Sequence, residues 1–385
     1  MVDTQTFEMD ESRSTRDRAT GACLGPRSGS ASDSASGMSG ARSTSMGGIT
    51  ASWMLAIDIS RHGGPGALRP VERPGPVPRA DELLVRNRWI GVNYVDLQHR
   101  EGRPYPVELP LVPGIEAAGE VVATGPDADA ALLGRAVVHF GHLSGVYAEL
   151  TAVGPTHVVA LAPDVPLDVA AAVAMCGTTA HVLTREAVRP GAGDAVVVQA
   201  AAGATGGAVV QLAAAAGATV IGLASTPAKA AAARALGAAH AFALSETPDP
   251  VGAVLGVTGG AGAAHVYDAG GRDSFDVSLA MLATRGTLVL YGQSSGPVDP
   301  FDPGRLSGIT GEGRAGSLTV RWVSASNDYL RTGADRARAL ATILDAVAAG
   351  RFDARIAGRF ELARAAEAHE RLASRGILGK LLLRA

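Results

Sequence analysis

Residues 195–229 read AVVVQAAAGATGGAVVQLAAAAGATVIGLASTPAK, and no other stretch limits the fold as much. Ala195–Val198 is a short apolar strand that runs into Ala200, Gly203 and Gly206, spaced three apart. An alanine-rich helix is expected from about Gly206 to Ala216, closed by Gly217, and a second strand from Thr219 to Leu223. A strand, glycine turn, helix and strand in this order present a helix N-terminus whose free N–H groups hold a dinucleotide pyrophosphate. Gly203 lets the backbone approach the phosphates, and Gly206 lets helix and strand pack closely. Ala200 stands where the first glycine is usual. The contacts expected from the turn come from Ala202, Gly203, Ala204, Thr205 and Gly206.

The end of the second strand selects the dinucleotide. NAD is usually chosen by an Asp or Glu about 20 residues beyond the turn, which binds the ribose 2′-OH. Here the chain reads Ser225-Thr226-Pro227-Ala228-Lys229, without an acid. Two hydroxyls and a cation suit a 2′-phosphate. NADPH is therefore expected over NADH, held by Ser225, Thr226 and Lys229. The plainer role for Lys229 is a solvated lysine at a helix start.

A chain of 385 residues has room for two domains and a tail. A hydrophobic fraction of 47% and a charged fraction of 18% fit a globular enzyme with a large core. The net charge of −3 gives no reason to expect nucleic acid or an anionic membrane as partner. Only Cys23 and Cys176 are present, which excludes a disulfide framework and a four-cysteine zinc site. A reducing cytoplasm is the expected compartment. No window of about 18 apolar residues runs free of Gly, Pro or charge, so no transmembrane helix is expected.

Residues 1–48 are rich in Ser, Gly, Thr and Arg and poor in branched apolar residues. Such a segment cannot offset its chain entropy by burial and is expected to be disordered. It has no apolar signal core, and Asp3, Glu8, Asp10 and Glu11 argue against a transit peptide. A start at Met46 or Met54 is a plain alternative.

From Ser52 to about Pro163 short apolar runs are broken by Gly and Pro, which predicts a β-rich domain. Strands are expected at Trp53–Ile59, Glu82–Trp89, Ile115–Thr124, Arg135–Phe140 and Tyr147–Val153. Val169–Leu183 is a long alanine-rich helix linking this domain to the next. Strands and helices then alternate, which predicts a parallel, doubly wound sheet. Further strands are expected at Ala239–Leu244, His265–Asp268, Thr287–Gly292 and Ser317–Val323. Further helices are expected at Pro227–Leu236, Asp273–Leu282, Gly333–Ala349 and Leu362–Ser374. The last stretch should give a closing strand that rejoins the first domain. The expected division is a tail over 1–48, a β-rich catalytic domain over 49–175 and 317–385, and a Rossmann-type α/β domain over 176–316. The segment Val298–Gly316 is read as a mobile loop.

Several motifs occur in a familiar order: VNYVDLQHREGRPYP, PGIEAAGEVVATG, GVYAEL, QAAAGATGG, VYDAGGRDSFDVSLAMLATRGTLVLYGQSSG and AHERLASRGILGKLLL. Together they resemble the medium-chain dehydrogenase/reductases, in the zinc-independent quinone oxidoreductase (zeta-crystallin-like) branch. The resemblance covers about residues 52–385. It implies a bilobed subunit, a GroES-like lobe beside the Rossmann lobe, and the cofactor in the cleft between them. It also implies a homodimer or homotetramer, often paired through the nucleotide lobe.

A catalytic zinc needs three protein ligands. Zinc relatives carry a His before the glutamate that is here Glu116, and this chain has Ile115, which cannot ligate. Asn93 and its neighbours replace the early cysteine ligand. His139, His142 and His181 remain as candidate ligands, with packing histidines as the simpler reading. No metal is expected.

Hydride addition to a quinone or enone leaves an oxyanion that needs donors or a proton. Asn93–Tyr105 should line the cleft. The resemblance places Asn93 and Tyr105 near the nicotinamide and substrate, and brings Arg321 toward the cleft. Gln98 replaces a tyrosine of the family, and Asp96 reads as a turn or ion-pair residue. By the same resemblance Thr179 and Gly292-Gln293-Ser294 meet the nicotinamide end, and Arg375 and Lys380 reach the cofactor phosphates. Leu244 stands in place of a tyrosine that helps hold the 2′-phosphate. The expected activity is NADPH-dependent reduction of a quinone or of the C=C bond of an α,β-unsaturated carbonyl. A biosynthetic enoyl reductase, a nucleotide-binding redox sensor with little catalysis, and a zinc alcohol dehydrogenase are the alternatives.

Overall fold

Runs of Val, Ile and Leu between glycine and proline breaks form strands, and the alanine-rich runs form helices. The computed structural model describes residues 53–142, 144–309 and 315–385, so the expected disordered tail lies outside the described residues. The catalytic lobe begins with β1 (Trp53–Ile59), β2 (Leu68–Pro74), β3 (Leu83–Val92), α1 (Tyr94–Glu101) and β4 (Glu116–Thr124). It continues through β5 (Ala136–Phe140), β6 (Leu150–Val153) and β7 (Val158–Ala160) to the linking helix α2 (Leu167–Val182). The nucleotide lobe follows with β8 (Ala195–Val198), α3 (Ala204–Ala215), β9 (Thr219–Ala224), α4 (Pro227–Ala235) and β10 (His240–Ala243). Next come α5 (Pro250–Val257), β11 (Ala263–Asp268), α6 (Arg272–Ala280), β12 (Leu282–Leu290) and β13 (Thr319–Trp322). The chain ends with α7 (Gly333–Ala348), β14 (Ile356–Glu361), α8 (Ala365–Ala373) and β15 (Lys380–Arg384).

The nucleotide lobe is one six-stranded sheet in the order β10-β9-β8-β11-β12-β13, parallel throughout. This is the doubly wound Rossmann order, and its direction reverses between β8 and β11. The glycine turn after β8 therefore sits at the switch point, where the strand ends open a crevice. The catalytic lobe is a seven-stranded, mainly antiparallel sheet containing β14-β15-β3-β4-β5-β7, with β6 on β3. The last strand, β15, lies antiparallel to β3, so the chain returns to its first lobe as expected.

Helix α2 joins the lobes. It packs on β3, β4, β5 and β15 of one sheet and on α3 and α7 beside the other. Ala170–Ala174 are fully buried, and a Cβ on Gly177 would lie 2.9 Å from Ile343 of α7. Small side chains are what let the two helices approach. The helical run Leu167–Ala187 is long and apolar enough to cross a membrane, although the sequence suggested no such span. Its most apolar window is 67% buried inside the protein, as befits a core helix.

Two expected boundaries move. Thr319–Trp322 pairs with β12, so this strand belongs to the nucleotide sheet and not to the stretch from 317 onward given to the catalytic domain. Helix α2 also runs without a break through the expected division at 175/176. The sequence reading missed β2, β7, β14, α1 and α5, which are short or carry mixed polarity. Of the segment Val298–Gly316, residues 310–314 lie outside the described residues.

The glycine turn holds one alanine in a conformation that favours glycine. Ala200 has φ +51°, and its carbonyl accepts the Gly203 N–H at 2.9 Å. A left-handed conformation costs an alanine roughly 1–2 kcal/mol. Ala200→Gly is expected to raise stability by up to about 1 kcal/mol, less than the full strain because glycine gains entropy in the unfolded chain. Urea unfolding checks this, and an unchanged or lower midpoint would show that the turn is unstrained.

Candidate active site

The glycine turn is shaped by contact with its own carbonyl. A Cβ on Gly206 would collide with the Ala200 carbonyl oxygen, and one on Gly203 would lie 3.3 Å from it. Only hydrogen fits at Gly206, and the start of α3 is thereby drawn against β8. Gly203 caps α3 without a side chain, leaving the first-turn N–H groups of Ala204, Thr205 and Gly206 without helical acceptors. Ala202 is buried beneath them. The fold provides the cradle a pyrophosphate needs. The other lobe closes its side through a bridge between Gly203 and Gly379. A small cleft lies here, lined by Cys176, Ala202, Gly203, Ala204, Gly379 and Lys380 among others.

Ser225 and Thr226 are exposed at the end of β9, as a phosphate site requires. The Thr226 hydroxyl caps α4 by accepting the Lys229 N–H at 3.4 Å. The Lys229 ammonium donates to the carbonyl of Arg375, so two expected phosphate ligands from opposite lobes meet. Burial, and then the Arg375 charge, lower the Lys229 pKa. An anion placed between two such cations is favoured.

A second meeting of the two lobes is made by α1 and the turn after β12. Tyr94 donates its hydroxyl to the Ser294 carbonyl at 3.1 Å, and Gln98 Nε2 donates to the Gln293 carbonyl at 3.2 Å. Tyr105 is half-buried, with the Gln293 side chain beside its hydroxyl. Burial raises its phenol pKa and the neighbouring Gln293 side chain opposes that rise, so it stays a neutral donor at physiological pH. A Cβ on Gly292 would sit 2.9 Å from the Ala269 carbonyl, which explains a glycine at the strand end. The structure thus places Tyr105 beside Gln293. It adds Tyr94, which the sequence reading passed over although it follows Asn93 directly.

Asn93 and Lys380 are placed otherwise than expected. Lys380 is buried, and its ammonium lies 2.5 Å from Glu116 Oε1 and 2.6 Å from Asn93 Oδ1. The Asn93 amide donates to the same Glu116 oxygen at 2.7 Å. Glu116 Oε2 accepts the Met175 N–H at 2.7 Å, tying in α2. A Cβ on Gly91 would strike the Glu116 carboxylate, so the buried acid also dictates that glycine. Asn93 is committed to this cluster and is not a free donor for substrate. Lys380 lines the cleft beside the turn, but its charge is directed at Glu116 and not at a phosphate site.

Arg321 also departs from expectation. It is exposed on β13 and donates to the Ala187 carbonyl, and among the described residues no hydrogen bond joins it to α1 or to the turn after β12. Its position on an edge strand explains this. Thr179 sits partly exposed on α2, one turn after Cys176. Of the three candidate metal ligands, His139 Nδ1 and His142 Nε2 lie 3.0 Å apart, and His142 stacks on His157. Burial pushes His139 down to about 3 and His142 to about 2, so both are neutral. His181 is elsewhere, 4.0 Å from Glu186. Among the described residues no group of three or more His, Cys, Asp or Glu is placed to hold a metal ion.

A glycine turn at the switch point of a parallel sheet, facing a β-rich lobe, defines a two-lobed dinucleotide-binding protein. Comparisons with known proteins make this specific. The alcohol dehydrogenase GroES-like domain matches residues 79–164, and the zinc-binding dehydrogenase domain matches 204–328. A quinone oxidoreductase of Pseudomonas aeruginosa is 35% identical over 334 residues, covering 85% of this chain and 98% of the relative. A 2-haloacrylate reductase of Burkholderia is 33% identical over 335 residues, covering 86% and 98%. The solved Escherichia coli quinone oxidoreductase in complex with NADPH is 32% identical with a TM-score of 0.81, covering 86% of this chain and 100% of that one. The chain belongs to the medium-chain dehydrogenase/reductase superfamily, in its zinc-independent quinone oxidoreductase branch.

The Glu116–Lys380 pair is testable by removing one charge. Lys380→Met leaves a buried carboxylate unpaired and is expected to cost about 3–5 kcal/mol, whereas adding Glu116→Gln should recover part of the loss. Chemical unfolding of the single and double variants reads both. A single-variant loss below about 1 kcal/mol would mean that water reaches the pair.

Proposed function

We propose that this protein is an NADPH-dependent reductase of quinones or of the C=C bond of α,β-unsaturated carbonyl compounds. The observation that carries the reading is the pairing of two cleft ends of different chemistry. One end offers the α3 N-terminus with Lys229, Arg375, Ser225 and Thr226, which fits a dinucleotide pyrophosphate and a 2′-phosphate. The other offers the neutral Tyr105 hydroxyl beside Gln293. The residues present therefore fit NADPH, and the solved relatives that bind it support that choice. Bound there, NADPH supplies a hydride to an electron-poor carbon.

The protein's own part is placement and charge. The α3 N-terminus fixes the pyrophosphate. Tyr94 and Gln98 hold the 293–294 turn against α1. Tyr105 donates a hydrogen bond to the oxygen on which negative charge develops as hydride arrives. Reduction of a conjugated C=C bond is favoured within this reading by the 2-haloacrylate reductase relative. An enoyl thioester belongs in the same substrate panel.

The test is NADPH and NADH oxidation with quinones, enones, haloacrylates and enoyl thioesters. NADPH should be preferred, and Tyr105→Phe should lower kcat by about 10-fold or more with little change in NADPH affinity. Full activity in that variant removes Tyr105 from the reaction. Tight NADPH binding without any accepted substrate would favour a redox sensor.

A homodimer is the assembly we infer. β13 ends the six-stranded sheet with an open edge, and Trp322 is 47% exposed on it. Open edges of this kind are rarely left bare. Two copies meeting edge to edge about a two-fold axis would continue the sheet and cover Trp322. Light scattering should find a dimer that Trp322→Glu converts to monomer, and a wild-type monomer at micromolar concentration would overturn this.

A further inference from the structure

Helix α1 carries Tyr94 and Gln98 to the 293–294 turn, and its start is fixed by one buried carboxylate. Asp96 is fully buried. Its Oδ2 accepts the Asn93 N–H at 2.7 Å and the Tyr147 hydroxyl at 3.1 Å, while Oδ1 has no partner. Tyr147, also fully buried, places its hydroxyl 3.0 Å from His369 Nε2. His369 Nδ1 in turn lies 3.2 Å from Arg100 Nη1. Arginine has no acceptor, so Arg100 must donate to Nδ1. The neutral His369 then carries its hydrogen on Nε2 and donates it to Tyr147, which donates its own to Asp96. The tautomer follows from the donor inventory. Every bond of the chain points at Asp96, from Arg100 in the last turn of α1 through α8 and the core back to the first turn of α1.

We propose that Asp96 is a positioning residue for the reaction: its carboxylate, held by the Arg100–His369–Tyr147 chain, sets the start of α1 and so the stations of Tyr94, Gln98 and Tyr105 at the cleft. This rests on the reading that reduction takes place beside Tyr105 and Gln293. The carboxylate form is the one that serves, because its charge strengthens both hydrogen bonds it accepts. Protonation weakens them, and Oδ1 offers no partner for the proton. The groups facing Asp96 are Tyr147 from before β6, His369 from α8, Lys380 from β15, Glu116 from β4 and Arg100 from α1 itself. Burial raises the Asp96 pKa to about 7 against the lowering by the Asn93 N–H, Lys380 and Tyr147, while Glu116 adds to the rise. Turnover should therefore fall as pH drops through the neutral range.

The experiment compares NADPH oxidation across pH in wild type, Tyr147→Phe and Asp96→Asn. Tyr147→Phe keeps the ring in the core but removes the hydroxyl. Its kcat should drop about 10-fold with KM for NADPH changed less than about 2-fold, and its acid limb should move to higher pH. Asp96→Asn should lose the acid limb altogether. A wild-type kcat and pH profile in Tyr147→Phe overturns the proposal, and so does an unmoved acid limb in Asp96→Asn. A lower melting temperature with an unchanged pH profile assigns the chain to stability alone and also overturns it. Where a variant fails to fold, wild-type infrared difference spectra decide. A buried carboxyl band must grow as pH falls through the same limb, and its absence overturns the proposal. Tyr105→Phe keeps the two readings apart, because it should lower kcat without moving the acid limb.

Discussion

The ion pair between Glu116 and Lys380 is the contact on which the catalytic lobe depends. It joins β4, formed early in the chain, to β15, the last strand, across 264 residues. Neither side chain reaches water, so each is tolerable only because the other is there. Asn93 and the Met175 N–H occupy further bonding positions on the pair, which brings α1 and α2 to the same point. Four elements from distant parts of the sequence are thus indexed to one carboxylate. A buried pair adds little net stability compared with apolar packing. What it supplies here is register, because a shift in β15 would leave both charges buried without partners.

The nucleotide lobe solves a different problem by size alone. Its turn must bring a helix start, a strand end and a phosphate together, and the obstacle is the Ala200 carbonyl. Gly206 removes the side chain that would strike it. The alanines of α2 and α3 extend the same logic, since helices with small faces can lie close to both sheets. The high alanine content and the apolar length of α2 are thus two sides of one packing requirement, and they explain why a core helix has the composition of a membrane span.

The fold was legible because its signals are local. The strand, turn, helix and strand from Ala195 to Leu223 lie within one stretch, and the structure has each element in place. So does the return of the last strand, since a glycine-marked turn before Lys380-Leu381-Leu382-Leu383 is readable by itself. Lys229 and Arg375 could be proposed separately, each as a cation near a helix end, but only the fold shows that they touch. Lys380 was misread because a lysine in sequence carries no sign of burial, and its partner lies on another strand. Arg321 was placed by resemblance alone, and nothing in its own stretch of sequence shows that it lies exposed on an edge strand, bonded to the Ala187 carbonyl. The contacts of Asp96 were hidden for the same reason as those of Lys380. Its partners Tyr147 and His369 are 51 and 222 residues from Asp96 and from Tyr147 respectively, and no spacing rule links them.

The two ends of the proposed site are therefore built on different principles. At the proposed phosphate end Ser225, Thr226 and Arg375 are exposed, so electrostatic binding there should respond to salt. At the proposed reaction end Tyr94 and Gln98 meet backbone carbonyls through neutral hydrogen bonds, which salt hardly alters. Precision at that end has to come from behind, from groups that water and ions do not reach. The buried chain ending at Asp96 and the pair at Glu116 lie in that place, one on each side of Asn93. In the proposed site, charge is kept out of the first contact with substrate and concentrated one layer back, where low dielectric makes it strong and the sheet holds it still.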